Sequence, residues 1–425
     1  MINLFVILFT LAGIRSILFK NNGVESSLIW IIFAFILGYR TFEPLPGLKL
    51  HPIEIFIYAS VFRIIVFNAV KYRKMPTGIS MLSIFFIAYF FIDFLTRYHF
   101  TVLLEFKNTF LLILVFFITC HLHFSKSYFI RLLKYYLLAA SLISMMGIIE
   151  YQFPSFMSSI FGFQSSPINA QQSILFTRLA FLFWGSHLAA NLIAPVFPIL
   201  LLLKVEKEHL TNNYYILTFL VIINLFAIYL SGNRISWLIL TILLIVTIFQ
   251  YRGYLLPNMK SYTLLVTLAF VAYIYSQPVE GRYISTFKAL TGNIDVRYDS
   301  SSGARMARAL IAIDSIVEKP FGTGWGSQGW VHSDVLQVAA SVGIIPGIIL
   351  LIAPLFLLFR MYRVYLITSI NDQTAFFTCC CLLIFVIISM TLNGNILKVQ
   401  SGVPLFVLWA IVYSYISSYK QLKPS

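Results

Sequence analysis

The sequence predicts an all-α integral membrane protein, and three observations carry that expectation. Of its 425 residues, 60% are hydrophobic, 17% aromatic and only 11% charged, about half the charge of a soluble globular chain. Phe, Ile and Leu run in blocks of roughly 17 to 25 residues, long enough for a helix to cross a hydrocarbon core of about 30 Å. The alternating ten-residue pattern of an outer-membrane barrel is absent, and a run such as 235–250 stays largely apolar on every face. In lipid such segments satisfy their backbone groups internally, as helices.

The blocks centre near Phe9, Ile31, Ile57, Ile87, Leu112, Leu138, residues 183–202, Val221, Ile242, Leu268, Ile348, Ile384 and Trp409. They predict 12 or 13 helices in one polytopic domain spanning 1–425. The first block, 2–19, has neither a basic n-region nor an A-x-A-like cleavage site, so it reads as a retained helix. One set of connections holds Lys20; Lys71, Arg73 and Lys74; Lys126, Arg131 and Lys134; Lys204 and Lys207; Arg252 and Lys260; Arg360 and Arg363; and Lys420 and Lys423. The positive-inside rule puts that set in the cytoplasm and the loop around Leu45, residues 151–177, 231–233 and 393–396 on the outer face. The four cysteines, Cys120 and Cys379 to Cys381, sit inside apolar segments without metal-ligand spacing and read as small core or lipid-facing residues.

The longest polar interval, 277–331, is also assigned to the outer face, and a loop of that length in a tightly looped protein is usually functional. Within it, 302–319 reads as an amphipathic helix, opened by the Ser301/Ser302 pair and stopped before Pro320. Its Arg305 and Arg308 share a face.

The formal charge is +15, and anchoring of the cytoplasmic connections accounts for about half of the cations. Arg178, Arg234, Arg282, Lys288, Arg297, Arg305, Arg308 and Lys319 remain on the outer side. Cations kept against the charge bias point to an anionic ligand, although a long translocated loop can carry them without one. Nucleic acid is not among the expected partners. Arg234 lies in Ser231-Gly232-Asn233-Arg234-Ile235-Ser236-Trp237, a polar turn between two long apolar spans. That geometry suits bidentate grip on phosphate oxygens, and equally an arginine snorkelling to headgroups.

Where the long loop re-enters the membrane stands Val331-His332-Ser333-Asp334-Val335-Leu336. A neutral imidazole there can take a proton from a hydroxyl, Asp334 is an alternative acid or base, and an interfacial or capping role is the plainer reading of a lone histidine. The preceding Pro320-Phe321-Gly322-Thr323-Gly324-Trp325-Gly326-Ser327 follows a helix rather than a strand. It reads as a tight connector and not as a dinucleotide fingerprint. No D-x-D pair, Walker loop, H-E-x-x-H or cysteine cluster is present, so no metal or cofactor is expected.

Taken in order, the S-G-x-R-x-x-W turn, the long loop ending in P-x-G-x-G and the H-S-x-x-L-x-x-x-x-x-x-G stretch resemble the O-antigen ligase and polymerase superfamily. The motifs cover about 231–347, and helix number and loop placement extend the likeness to the whole chain. The resemblance implies a metal-independent membrane glycosyltransferase of the GT-C kind. It would sit in a bacterial inner membrane with its site facing the periplasm. Its donor would be a glycan linked to undecaprenyl diphosphate.

The resemblance assigns Arg234 and His332 to catalysis and brings Arg178, Arg297, Arg305 and Arg308 to the diphosphate. Ser333, where the family usually has Asn, and Asp334 would orient the acceptor or base. The implied acceptor is a second lipid-linked glycan for a polymerase, with a chain-length regulator as a further partner, or a lipid A core sugar for a ligase. The modest outer loop favours the polymerase. Trp325 and Trp330 are placed to stack on sugars or to anchor at the interface. The rival class is a transporter, such as a lipid-linked-oligosaccharide flippase, with Arg15, Glu54, Arg63, Asp93 and Glu105 lining a path or pairing with one another.

Overall fold

The computed structural model describes residues 2–37, 42–45, 48–67, 75–97, 100–122, 124–153, 192–206, 214–231, 234–250, 300–327, 331–367, 370–392 and 399–422. Within these, the chain is an all-α membrane protein. Six helices are long and apolar enough to cross a bilayer: α4 (Thr77–Thr96), α5 (Phe100–Cys120), α6 (Lys126–Gln152), α12 (Ile344–Ile367), α13 (Ile370–Leu392) and α14 (Val399–Leu422). Shorter helices are α1 (Ile2–Phe19), α2 (Gly23–Ala34), α3 (Pro52–Val66), α7 (Val196–Val205), α8 (Tyr214–Leu230), α9 (Arg234–Gln250), α10 (Ser300–Glu318) and α11 (Asp334–Val342). The expected block near Leu268 and the first half of that at 183–202 lie outside the described residues.

Three local departures from the sequence reading have physical causes. The loop around Leu45 holds a small antiparallel hairpin, β1 (Phe42–Leu45) on β2 (Leu48–Leu50). Its few alternating residues are too short a run to register as a strand pattern. The expected block at Ile57 is α3, whose 15 residues span only about 22 Å. It opens at Pro52, with His51 Nδ1 accepting from Ile53 N at 3.1 Å and Glu54 Oε2 accepting from His51 N at 3.4 Å. The re-entry after the long loop is not one helix. Gly343 at φ 122° separates the nine-residue α11 from the spanning α12.

The core is apolar helix on apolar helix. Phe56, Leu28 and Ile31 are fully enclosed where α1, α2 and α3 meet, and Phe116 lies edge-on to Trp409 at 5.0 Å between α5 and α14. α14 is buried over 83% of its apolar window and α4 over 22%, so α14 runs through the middle of the bundle while α4 presents Ile84, Phe91 and Leu95 outward. In a bilayer those exposed side chains meet lipid. Polar groups inside are matched across helices: Asn224 donates to Ser141 Oγ at 2.9 Å and accepts from Ser144 Oγ at 2.8 Å, tying α8 to α6.

Ion pairs fix which helix ends lie together. Lys126 Nζ meets Glu206 at 2.9 Å and Asp372 at 3.2 Å, and Tyr419 OH donates to Asp372 at 3.3 Å. This clasp gathers the start of α6, the end of α7, the start of α13 and the end of α14 at one end of the bundle, here the basic end. Following the chain through α8 and α12 places the start of α9, together with α11, at the opposite, far end.

Candidate functional site

The far end is organised by the amphipathic helix and the glycine-rich connector. α10 runs from Ser300 to Glu318, close to the expected 302–319, and stops before Pro320, whose ring cannot continue the helix. Ala312 is fully buried against Val331 and Ala340, with Ile316 and Leu336 packed around them, so α10 lies on α11. The other flank of α10 carries the exposed Met306, Leu310, Ile313 and Val317.

The connector then does more than join two helices. Like any helix, α11 leaves its last carbonyls without intrahelical donors, and the connector supplies them. Thr323 N and Thr323 Oγ1 both reach Ala340 O at 2.9 Å, and Gly324 N reaches Ser341 O at 2.9 Å. Ile344 N closes the arrangement on Pro320 O at 2.9 Å. Gly322 lies at φ 92° against the backbone of Ser341 and Val342, where a side chain would collide.

On its other side the connector is held by α4 and α5. Asp93 Oδ2 accepts from Trp325 N at 2.8 Å and Glu105 Oε2 accepts from Gly326 N at 2.6 Å. Arg97 Nε pairs with Asp93 Oδ1 at 2.9 Å, and its guanidinium donates to Thr323 O. Successive amides turned outward by positive-φ glycines form a concavity suited to anions. Here the protein's own carboxylates fill it. The Trp325 side chain is 3% exposed, edge-on to Phe86 at 5.6 Å and to Phe106 at 6.3 Å. It therefore neither stacks on a sugar nor anchors at an interface; it is a core residue. Trp330 lies outside the described residues.

His332 follows directly. Its ring is half-buried, and the backbone on both sides is fixed. Val331 N donates to Gln337 Oε1 at 2.7 Å, and Gln337 N to Ser333 O at 2.9 Å. Ser333 is the N-cap of α11, its hydroxyl accepting from Leu336 N at 3.4 Å. That gives Ser333 a structural task at the position assigned to acceptor contact. Asp334 is 2% exposed in the first turn of α11, where a carboxylate suits the helix dipole.

Arg305 and Arg308 stand on α10, with Arg308 exposed one turn before the buried Ala312. Arg234 is the first residue of α9 at the same end, its side chain outside the described residues. α13 packs against both α9 and α11, so one helix touches the helix that Arg234 begins and the helix that follows His332. Arg178 and Arg297 lie outside the described residues. No protein-family model and no curated protein matches the chain. Among the described residues no group of three or more His, Cys, Asp or Glu is arranged to hold a metal ion.

Two expectations about charged residues change. Among the described residues Arg63 pairs with no carboxylate: its guanidinium donates to Ile17 O and, at 3.4 Å, to Asn21 O, covering the end of α1. Arg15 is exposed. Glu54 pairs with Lys107 at 2.8 Å, and Asp93 and Glu105 hold the connector, so each of these carboxylates has a structural partner. Arg97 completes the clamp and gave no signal in the sequence beyond one cation at a span's end.

Proposed function

We propose that the protein is a membrane glycosyltransferase that moves a glycan from an undecaprenyl-diphosphate donor to a sugar hydroxyl, as a surface-polysaccharide polymerase. The observation that carries this reading is the rigid mounting of His332. A half-buried imidazole stands between two backbone-fixed residues, immediately before the N-cap of a helix that packs against the arginine-bearing α10.

In the proposed reaction the C1–oxygen bond to the diphosphate breaks and a new C1–oxygen bond forms to the acceptor hydroxyl. The hydroxyl proton passes to His332. The departing lipid diphosphate needs its growing charge stabilised rather than a proton, and Arg234, Arg305 and Arg308 are the cations assigned to it. Arg178 and Arg297 are assigned to the same anion. Positioned guanidinium groups grip such oxygens bidentately. On this reading the far end faces the periplasm, the basic end faces the cytoplasm, and the membrane is a bacterial inner membrane.

The test is reconstitution of the purified chain with undecaprenyl-diphosphate oligosaccharide, comparing wild type with His332→Ala and Arg234→Ala. Laddered product from the lipid-linked donor alone, lost in both variants, supports the polymerase. Product only after addition of lipid A core makes it a ligase. A folded wild type that glycosylates neither acceptor removes the glycosyltransferase reading and leaves transport to be tested.

A further inference from the structure

A crevice of about 470 Å³ opens at the basic end between α4, α5, α12 and α14, within the roughly 300–1,000 Å³ range of small-ligand sites. Its floor is Phe116 and Trp409, both buried, and its walls include Ile352 and Phe356, which are exposed on the lipid side. Gly78 and Ala353 face each other across α4 and α12; a Cβ on Gly78 would come within 3.5 Å of Ala353 Cβ. Small residues at both positions keep the gap open.

Two features give this apolar crevice a positive mouth. α4 starts at Thr77 with Pro76 as N-cap and no side-chain cap hydrogen bond, so its first-turn N–H groups lack a capping side chain, and Thr77 and Gly78 of that turn line the crevice. Arg360 lines the same mouth beside Tyr413, and no carboxylate pairs with it among the described residues. Arg360 sits seven residues before the end of α12, about 10 Å inward along the helix, level with the start of its neighbour α4. A helix N-terminus and an arginine together favour a phosphate oxygen, and the apolar floor favours a hydrocarbon chain.

We propose that this crevice binds one anionic phospholipid from the leaflet at the basic end, its headgroup phosphate between Arg360 and the start of α4 and one acyl chain along Phe116, Ile352 and Trp409. The occupant is a lipid because the mouth is cationic and the long wall is open to the bilayer. A soluble anion would leave the apolar length of the crevice unfilled. The site does not depend on the glycosyltransferase reading.

The full chain, purified in a neutral detergent, is titrated with phosphatidylglycerol, phosphatidylcholine and glycerol phosphate, and bound lipid is read by native mass spectrometry. Phosphatidylglycerol should be retained in one-to-one stoichiometry over phosphatidylcholine, and glycerol phosphate should not replace it. Arg360→Gln should weaken retention roughly tenfold, the effect of one charge-assisted hydrogen bond, and Arg360→Lys should restore part of it. Arg363→Gln is the control for general surface charge, because Arg363 lies over the Phe359 ring at 4.5 Å and does not line the crevice. Ala353→Leu fills the gap without changing charge and should also displace the lipid. Equal retention of both lipids, equal loss in the Arg360 and Arg363 variants, or retention unchanged by Ala353→Leu overturns the proposal.

Discussion

Asp93 and Trp325 stand 232 residues apart in sequence, and the carboxylate of the first accepts the backbone N–H of the second at 2.8 Å. Asp93 also pairs with Arg97, which reaches Thr323 O. One buried acid therefore joins α4 to the connector that leads to His332. Asp93→Ala leaves the buried Trp325 N–H without its acceptor and removes the carboxylate partner of the half-exposed Arg97, and should lower stability by about 1–3 kcal/mol. Asp93→Asn, which keeps an acceptor oxygen, should cost less. Thermal melting in detergent measures both; an alanine variant as stable as wild type would contradict the clamp.

Gly324 has φ +110° and packs where a side chain would strike the Arg97 guanidinium. Gly324→Ala therefore combines left-handed backbone strain with a collision, at a cost of about 1–3 kcal/mol. It should lower the melting temperature and reduce any activity that depends on the His332 platform. The pair Gly324→Ala and Arg97→Ala tests the origin of the cost. If the collision dominates, the two effects are strongly non-additive.

Trp325 separates a core role from a ligand role. Its indole Nε1 has no hydrogen-bond partner among the described residues, so Trp325→Phe removes volume but no polar contact and should cost under about 2 kcal/mol. Trp325→Ala should cost about 3–5 kcal/mol. If the phenylalanine variant melts like wild type yet loses sugar binding, the core assignment is wrong.

His332 and Ser333 should respond in different observables. His332→Ala is expected to reduce transfer by about 10²–10⁴-fold with little change in melting temperature. Ser333→Ala removes the cap of α11 and should cost about 1 kcal/mol of stability, with activity falling only as far as the platform loosens. Parallel melting and transfer assays distinguish the two, and a reversed pattern would exchange their roles.

The transporter alternative shows how far composition can be read. Asp93, Glu105, Glu54 and Arg63 stood out as charges in apolar segments, and such residues are expensive in a membrane and need partners. That each would be satisfied was legible. Which partner it takes was not, because Glu105 meets Gly326 from the far half of the chain and Arg63 meets main-chain carbonyls of α1, and one sequence carries no marker of either.

What the sequence determined by itself follows from local physics. Apolar blocks become helices because lipid leaves no other way to satisfy the backbone, and Pro320 ends α10 because it lacks an N–H. The tertiary structure decided the rest. Trp325 is a buried core residue because α4 and α5 close over it, Gly343 divides the re-entry because the connector needs the carbonyls at the end of α11, and a glycine run that reads as a plain link becomes a plugged concavity. The burial of Trp325 and the plugging of the concavity rest on contacts between segments more than 200 residues apart, and the break at Gly343 on a loop-to-helix contact 17 residues apart; neither kind of pairing leaves a periodic imprint on the chain.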